Sequence, residues 1–189
     1  MLQCLFAATV RDSHTRSMRT RDLLLECLII VSGGQTGADR AALDWAIARN
    51  VPHRGWCPRG RLAEDGALAD RYRLRETSTA EYAERTEWNV RDSDATLIVS
   101  LAPDLTGGSA YTQAVARRLG KPCLHVAHDT ADAKTARAFL GRHEVRVLNV
   151  AGPRSSKEPE VYAFTVCLLD AIFLEAAATP LPGWRGTRR

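Results

Sequence analysis

Short apolar runs alternate with helix-length segments along this chain from residue 27 onward. The runs Cys27–Val31, Ala95–Val99 and Pro122–Val126 are typical of strands that are buried on both faces. Val145–Val150 is a similar run with more polar residues, and a weaker strand is expected within Pro52–Trp56. This alternation predicts an α/β fold, a three-layer sandwich in which a mostly parallel sheet of about five or more strands carries helices on both faces.

Helices are expected in the intervening segments, at about residues 37–50, 79–91, 109–119, 131–140 and 159–176. Thr36 stands three residues before Asp39 at the first helix start, and Ser78 stands three before Glu81 at the second. This spacing predicts a capping interaction at both starts. The last segment is apolar nearly all round, which indicates a helix that is buried or covered by a partner subunit, so a homo-oligomer is expected.

Length, charge and cysteine content limit the class of protein. A chain of 189 residues suits one domain, expected at residues 26–178. The formal charge is +4, and much of the excess lies in the tails rather than in a basic patch, so nucleic acid is not an expected partner. No apolar run reaches the roughly 18–20 residues of a membrane span, so no membrane partner is expected. The five scattered cysteines favour a reducing, cytoplasmic location over a disulfide framework.

The two ends of the chain fall outside the expected domain. Residues 1–25 are interpreted as a disordered extension or as a misassigned start, with Met18 as the true one. An organelle presequence is the alternative, because this stretch is rich in Arg, Ser and Thr. Residues 179–189 are rich in Pro, Gly and Arg and are expected to form a flexible tail.

Two glycine-rich loops each follow an apolar strand and open a helix. Gly33–Arg40 follows the first strand, and Ser100–Ser109 follows the run at residues 95–99. Glycine permits close backbone approach, and a helix start presents free N–H groups with partial positive charge. Right-handed crossovers bring such loops to the carboxyl edge of the sheet, where ligands of α/β sheets bind. The two loops together predict a phosphate site, with a tight turn that binds nothing as the alternative.

Two further loops bring charged residues to the same edge. In the loop Asn149–Lys157, Arg154 and Lys157 follow a Gly-Pro turn. Arg154 could bind an oxyanion through paired N–H donors, and Lys157 could bind it through its ammonium charge. Another loop contains Arg59 and Glu64. A carboxylate beside arginines could bind the edge of a ribose or a pterin, or it could act as a general acid or base. For both loops a solvated surface segment is the alternative.

One face of the second helix is also expected to contribute to the pocket. Arg85, Asn89 and Asp92 have i, i+4, i+7 spacing, which places them on one side of a helix. A solvated polar stripe is the alternative interpretation. The chain has no HExxH sequence, and no metal ligated by the protein is expected.

Taken in order, these loops resemble the putative molybdenum carrier family, which belongs to the SLOG group of Rossmann-like proteins. The resemblance extends over about Ile29 to Ile172 and rests on Ser32–Asp44, Trp56–Gly66, Arg85–Asp94, Thr106–Ser109 and Asn149–Lys157. It implies a Rossmann-like sheet with a pocket at its carboxyl edge. For characterised relatives the resemblance implies binding of molybdenum cofactor, whose pterin carries a terminal phosphate that suits the predicted phosphate site.

The same group is related to the LOG phosphoribohydrolases, which implies a second reading of the site. Those enzymes carry the motif Pro-Gly-Gly-x-Gly-Thr-x-x-Glu. The comparable loop here is Thr106–Gln113, with the sequence TGGSAYTQ and no glutamate. The departure argues against phosphoribohydrolase catalysis and in favour of a binding protein.

The preferred hypothesis is a carrier or sensor that binds a phosphorylated small molecule, either molybdenum cofactor or a nucleotide. The rival is a phosphoribohydrolase-type enzyme acting on nucleoside 5'-monophosphates, with Glu64 or Asp39 as acid or base and Arg85 orienting the substrate. A ligand-free scaffold that dimerises through the last helix is a third hypothesis. The residues predicted to bind the ligand are Gly33, Gly34, Gln35, Thr36, Gly37, Asp39, Arg59, Arg85, Asn89, Ser100, Thr106, Gly107, Gly108, Ser109, Thr112, Gly152, Arg154, Ser156 and Lys157.

Overall fold

The structure, a computed structural model, describes residues 27–174 of the chain. The extension expected at residues 1–25 and the tail expected at residues 179–189 lie outside the described residues. In chain order the elements are β1 (Ile29–Val31), α1 (Ala38–Ala48), β2 (His53–Arg54), β3 (Trp56–Cys57), β4 (Leu62–Ala63), β5 (Gly66–Ala67), β6 (Arg75–Glu76), α2 (Tyr82–Arg91), β7 (Ala95–Ser100), α3 (Gly107–Arg118), β8 (Cys123–Ala127), a 3-10 turn (His128–Thr130), α4 (Ala133–Arg142), β9 (Val147–Ala151) and α5 (Val161–Phe173).

The central sheet has five strands in the spatial order β2-β1-β9-β7-β8, and all of its pairings are parallel. This sheet and its helices confirm the predicted α/β, Rossmann-like fold. Every residue of β7 is buried, which explains why its sequence is mostly apolar. β9 is the last strand in sequence but lies between β1 and β7. The loops that follow β1, β7 and β9 therefore lie side by side at the carboxyl edge of the sheet.

The helices pack in two groups. α1, α4 and α5 contribute to the main core together with the sheet, around residues such as Trp45, Leu148 and Phe173. α2 and α3 pack on each other around Val90 and Val115. The apolar surface of α5 is thus largely buried by α1 and α4 of the same chain. Within residues 27–174, no helix combines the length and the apolar character that crossing a membrane requires.

The segment between β2 and α2 is more structured than the predicted loop. It contains the parallel pair β3–β6 and the antiparallel pair β4–β5. A second, smaller core lies under these strands and is formed by Leu43, Cys57, Leu68, Tyr72 and Leu74. Strands of two residues leave no periodic pattern in a sequence, which is why this part of the fold was not predicted.

The capping interaction predicted for α1 is wrong. The residue that precedes the helix is Gly37, with a φ of 79° and no side-chain cap. The hydroxyl of Thr36 instead donates a hydrogen bond to Glu64 and accepts one from the backbone of Ser155. The Thr36 hydroxyl therefore bonds to residues that are distant in sequence and does not cap α1.

The interaction predicted for α2 is displaced by one turn. The residue that precedes this helix is Glu81, and no side-chain cap is present there. The Ser78 hydroxyl donates to Glu84 at 2.5 Å, and the backbone N–H of Thr79 donates to the same carboxylate at 2.9 Å. A carboxylate in the first turn therefore organises the segment before the helix, but it is Glu84 and not Glu81.

Candidate functional site

A cavity of about 650 Å³ lies at the carboxyl edge of the sheet, enclosed by the loops after β1, β7 and β9 and by one face of α2. Its volume is within the range of about 300–1,000 Å³ that is common for small-molecule sites. The predicted ligand-binding residues that line it are Gly33, Gln35, Asp39, Arg85, Asn89, Thr106, Gly107, Gly108, Ser109, Thr112, Gly152, Arg154 and Lys157.

Other residues predicted to bind the ligand lie outside this lining, namely Gly34, Thr36, Gly37, Arg59, Ser100 and Ser156. At Gly34 an added Cβ would lie 2.8 Å from Leu74 and 2.9 Å from Leu68, so this glycine packs on the second core. Ser100 is buried, and its hydroxyl lies 2.7 Å from Nε2 of His125.

The start of α3 opens directly into the cavity. Gly107 and Gly108 form its first turn, and the helix has no side-chain cap. The first N–H groups of a helix have no partner within the helix, and that end carries a partial positive charge. Nζ of Lys157 lies beside this end, 2.9 Å from where a Cβ of Gly107 would be. A lysine ammonium and a positive helix end therefore face the same space.

The start of α1 is closed by protein backbone. The N–H of Ala38 donates to the carbonyl of Pro153 at 3.3 Å. A Cβ on Gly37 would lie 2.9 Å from the backbone nitrogen of Ser155. The loop after β9 thus packs on the first glycine loop, which contributes Gly33 and Gln35 to the cavity as a side wall.

Glu64 joins the first loop to the loop after β9. Its carboxylate accepts hydrogen bonds from the hydroxyls of Thr36 and Ser156, the latter at 2.6 Å, and lies 3.4 Å from Nε of Arg154. Burial by itself would raise the pKa of the Glu64 carboxyl, but the hydrogen bonds from Ser156 and Thr36 outweigh it and lower that pKa. Glu64 does not line the cavity, and its carboxylate links the loop after β1 to the loop after β9.

A buried ion pair forms one wall of the cavity. Nη1 of Arg85 lies 2.6 Å from Oδ2 of Asp39, and the two side chains are 15% and 4% exposed. A Cβ on Gly33 would collide with the guanidinium of Arg85, so glycine is needed where the arginine crosses the loop. The ion pair links α1 to α2 and crosses the loop after β1 at Gly33.

α2, α3 and β9 add aromatic and amide groups that the sequence did not single out. Tyr82 and Tyr111 line the cavity from these two helices, and the hydroxyl of Tyr111 donates to Glu87 at 2.6 Å. Asn149 is buried in the middle of β9 and lines the same cavity. Tyr82 stands three residues before Arg85, so helical spacing from the predicted arginine was the signal that would have found it. The further lining residues are Ala83, Thr86, Ala151, Pro153 and Glu158.

The predicted face of α2 is divided between two places. Arg85 and Asn89 line the cavity, whereas Asp92 does not and instead accepts a hydrogen bond from Nε1 of Trp56 at 2.7 Å. Within residues 27–174 no cluster of His, Cys, Asp and Glu side chains has the composition of a metal site. The four cysteines of this part of the chain are free thiols.

Comparison with known proteins identifies relatives of the chain. Residues 30–173 match the circularly permutated YpsA SLOG family. The fold is similar to a crystal structure of a "putative molybdenum carrier protein" from Syntrophus aciditrophicus SB, with 49% sequence identity and a TM-score of 0.73. That match covers 77% of this chain and 94% of the other. Among curated proteins no match is found. The family match and the structural match confirm the resemblance that the loop sequences predict.

Proposed function

This chain belongs to the circularly permutated YpsA SLOG family, and on that basis we propose that it is a carrier that binds a phosphate-bearing small molecule in the cavity at the carboxyl edge of its sheet. The family and the structural relative support a ligand-binding role. The finer assignment is that the phosphate is held at the start of α3, between the backbone of Gly107 and Gly108 and the side chain of Lys157. Homo-oligomeric assembly and a cytoplasmic location stay predictions of the sequence.

The position of Lys157 carries this proposal. Its ammonium stands beside the uncapped, positive end of α3, and cations are unfavourable at that end of a helix. Among residues 27–174, no carboxylate lies within ion-pair distance of Lys157. An anion bound between the Lys157 ammonium and the free N–H groups of α3 would interact favourably with both and would remove the repulsion between them. The guanidinium of Arg154, which also lines the cavity, adds a second cation on the same loop.

The rest of the cavity suits a flat, polar ring attached to that phosphate. Tyr82 and Tyr111 offer aromatic surface, while Thr86 and Asn149 offer hydrogen-bonding groups. Since the relative from Syntrophus aciditrophicus is described as a molybdenum carrier, we propose molybdenum cofactor as the cargo, with a nucleotide as the other ligand of the same chemistry. The cavity lining contains no cysteine or histidine, the side chains that would bind a transition metal directly. We therefore propose that the lining contacts the organic part of the cofactor.

The same geometry supports holding rather than cleavage. The Glu64 carboxylate is bound by Thr36, Ser156 and Arg154 outside the cavity lining. Asp39 lines the cavity but is paired with Arg85. Neither of these two predicted carboxylates is therefore an unengaged acid or base in the ligand space.

Native mass spectrometry of freshly purified protein, combined with elemental analysis for molybdenum, tests the cargo. We expect an adduct with the mass of a phosphorylated pterin or a nucleotide that is released on denaturation. A constant molar ratio of molybdenum to protein would identify the cofactor as the cargo. A nucleotide adduct without molybdenum would identify a nucleotide as the ligand. Release of free base from added nucleoside monophosphates, abolished by Glu64→Gln, would contradict a pure carrier.

Replacing Lys157 with glutamine is expected to weaken the binding of AMP, used as a phosphate probe, by about tenfold or more. The reason is that a charge-assisted hydrogen bond contributes about 1.5–3 kcal/mol, and about 1.4 kcal/mol corresponds to tenfold in affinity. Isothermal titration calorimetry at fixed ionic strength measures the change. Lys134→Gln is the matched control, because Lys134 is exposed on α4 and does not line the cavity. Equal affinities for the two variants would place the phosphate elsewhere.

A further inference from the structure

A second, smaller pocket of about 360 Å³ lies at the edge of the sheet beside β2. It is lined by three arginines, Arg54, Arg73 and Arg75, together with Trp56 and Asp92 among others. None of its lining residues also lines the large cavity. The two pockets are nevertheless close, because the side-chain amide of Asn89, which lines the large cavity, is bonded to the backbone N–H and carbonyl of Trp56 at 2.8 and 2.9 Å.

The three arginines have no ion-pair partner within the described chain, in contrast to Arg40, Arg49, Arg71, Arg85, Arg91, Arg118 and Arg154. The one carboxylate in the pocket, that of Asp92, is already engaged. It accepts two hydrogen bonds from Arg91, at 2.7 and 3.0 Å, and one from Trp56 at 2.7 Å. Arg91 and, more weakly, Arg54 lower the pKa of the Asp92 carboxyl, so this one carboxylate is shared among several arginines and the pocket lining keeps a net positive charge.

The local backbone directs these cations to one place. Arg73 and Arg75 flank Leu74, whose side chain is buried in the second core, while both arginines are exposed on the other side. β6, which contains Arg75, pairs with β3, and the N–H of Arg75 donates to the carbonyl of Gly55 at 2.9 Å. The guanidinium of Arg75 also lies over the ring of Trp56, 5.8 Å from its centroid, which restricts its position.

The positive field of the pocket is consistent with the state of His53, which also lines it. Burial lowers the pKa of this imidazole, and the charge of Arg73 lowers the same pKa further. The histidine is thus held toward its neutral form and does not add to the three positive charges.

We propose that this arginine pocket is a second binding site, distinct from the large cavity, for a small oxyanion of the phosphate or diphosphate class. Guanidinium groups recognise such anions through paired N–H donors, and three of them around one concave surface match a multiply charged oxyanion rather than a single carboxylate.

Fluorine NMR of protein labelled with 5-fluorotryptophan tests this site, because Trp56 lies in the arginine pocket and no tryptophan lines the large cavity. The Trp56 signal is assigned with Trp56→Phe. We expect inorganic pyrophosphate to shift this signal in a saturable way in the full-length protein. The double change Arg73→Gln with Arg75→Gln is expected to weaken this response by about tenfold or more. A larger response to pyrophosphate than to AMP indicates a free oxyanion, and the reverse indicates a phosphate group on a nucleotide.

Two controls separate this site from general charge and from the proposed carrier cavity. Arg142→Gln with Arg146→Gln removes the same charge from exposed positions elsewhere and is expected to leave the Trp56 response unchanged. Lys157→Gln is also expected to leave it unchanged, so that failure of the carrier proposal and failure of this one give different results. An unresponsive Trp56 signal, equal weakening by the two double variants, or loss in Lys157→Gln would each overturn the proposal. If the Arg73 and Arg75 changes lower the thermal stability, Arg54→Gln replaces them as the test.

Discussion

Replacing Arg85 with methionine is expected to lower the free energy of unfolding by about 3–5 kcal/mol, because it leaves the Asp39 carboxylate buried without its partner. The Asp39 side chain is only 4% exposed, and the guanidinium 2.6 Å away is its ion-pair partner. Methionine keeps much of the length of the arginine stem, so the loss reflects charge rather than packing. Urea denaturation followed by circular dichroism measures the change, with the slope of the transition checked for two-state behaviour.

Two comparisons identify the cause of that loss. Arg118→Met breaks the ion pair between Arg118 and Glu87, in which the two side chains are 58% and 38% exposed, and is expected to cost far less than the Arg85 change. Asp39→Asn combined with Arg85→Met removes both charges and is expected to recover most of the loss caused by the single change. Equal costs for the two arginine changes, or no recovery in the double variant, would show that the buried pair does not contribute to stability in this way.

The sequence was sufficient to predict most of the sheet but not its order. The strands at residues 95–100 and 147–151 are apolar because helices cover both faces, and that condition leaves a recognisable run. The insertion of β9 between β1 and β7 depends on how distant segments pack, which no local pattern encodes. The small sheets between β2 and α2 are held by the second core, through residues such as Tyr72 and Leu74 that are widely spaced in sequence relative to Leu43.

The candidate site shows the same division between local and distant information. The loop at residues 106–109 lies at the cavity as its sequence predicts, because a glycine-rich helix start after a strand is a local feature. The loop at residues 33–37 has equally suitable glycines, yet Gly34 packs on Leu68 and Gly37 on the loop after β9. A glycine that admits a ligand and a glycine that admits another part of the chain look alike in a sequence, and only the fold separates them.

Replacing Gly108 with aspartate is expected to weaken binding of AMP by about 100-fold or more without destabilising the protein. A Cβ at this position meets nothing within 4 Å, so the side chain fits. A carboxylate in the first turn of a helix is favourable, and loss of a helical glycine adds stability of up to about 1 kcal/mol. The same carboxylate occupies the end of α3 where we place the phosphate, and like charges at that distance oppose each other by several kcal/mol, with about 1.4 kcal/mol for each tenfold.

Calorimetric titration with AMP and thermal unfolding, carried out on the same preparations, measure both halves of this prediction. Gly108→Ala and Gly108→Asn are the matched controls, because alanine adds the Cβ alone and asparagine adds the shape of aspartate without its charge. Both are expected to retain affinity within a few-fold of the unmodified protein, since neither repels an anion. Retained affinity in the aspartate variant would remove the start of α3 as the phosphate site. Loss in all three variants would instead indicate a steric requirement for glycine, because only the difference between aspartate and asparagine reports the charge of the ligand.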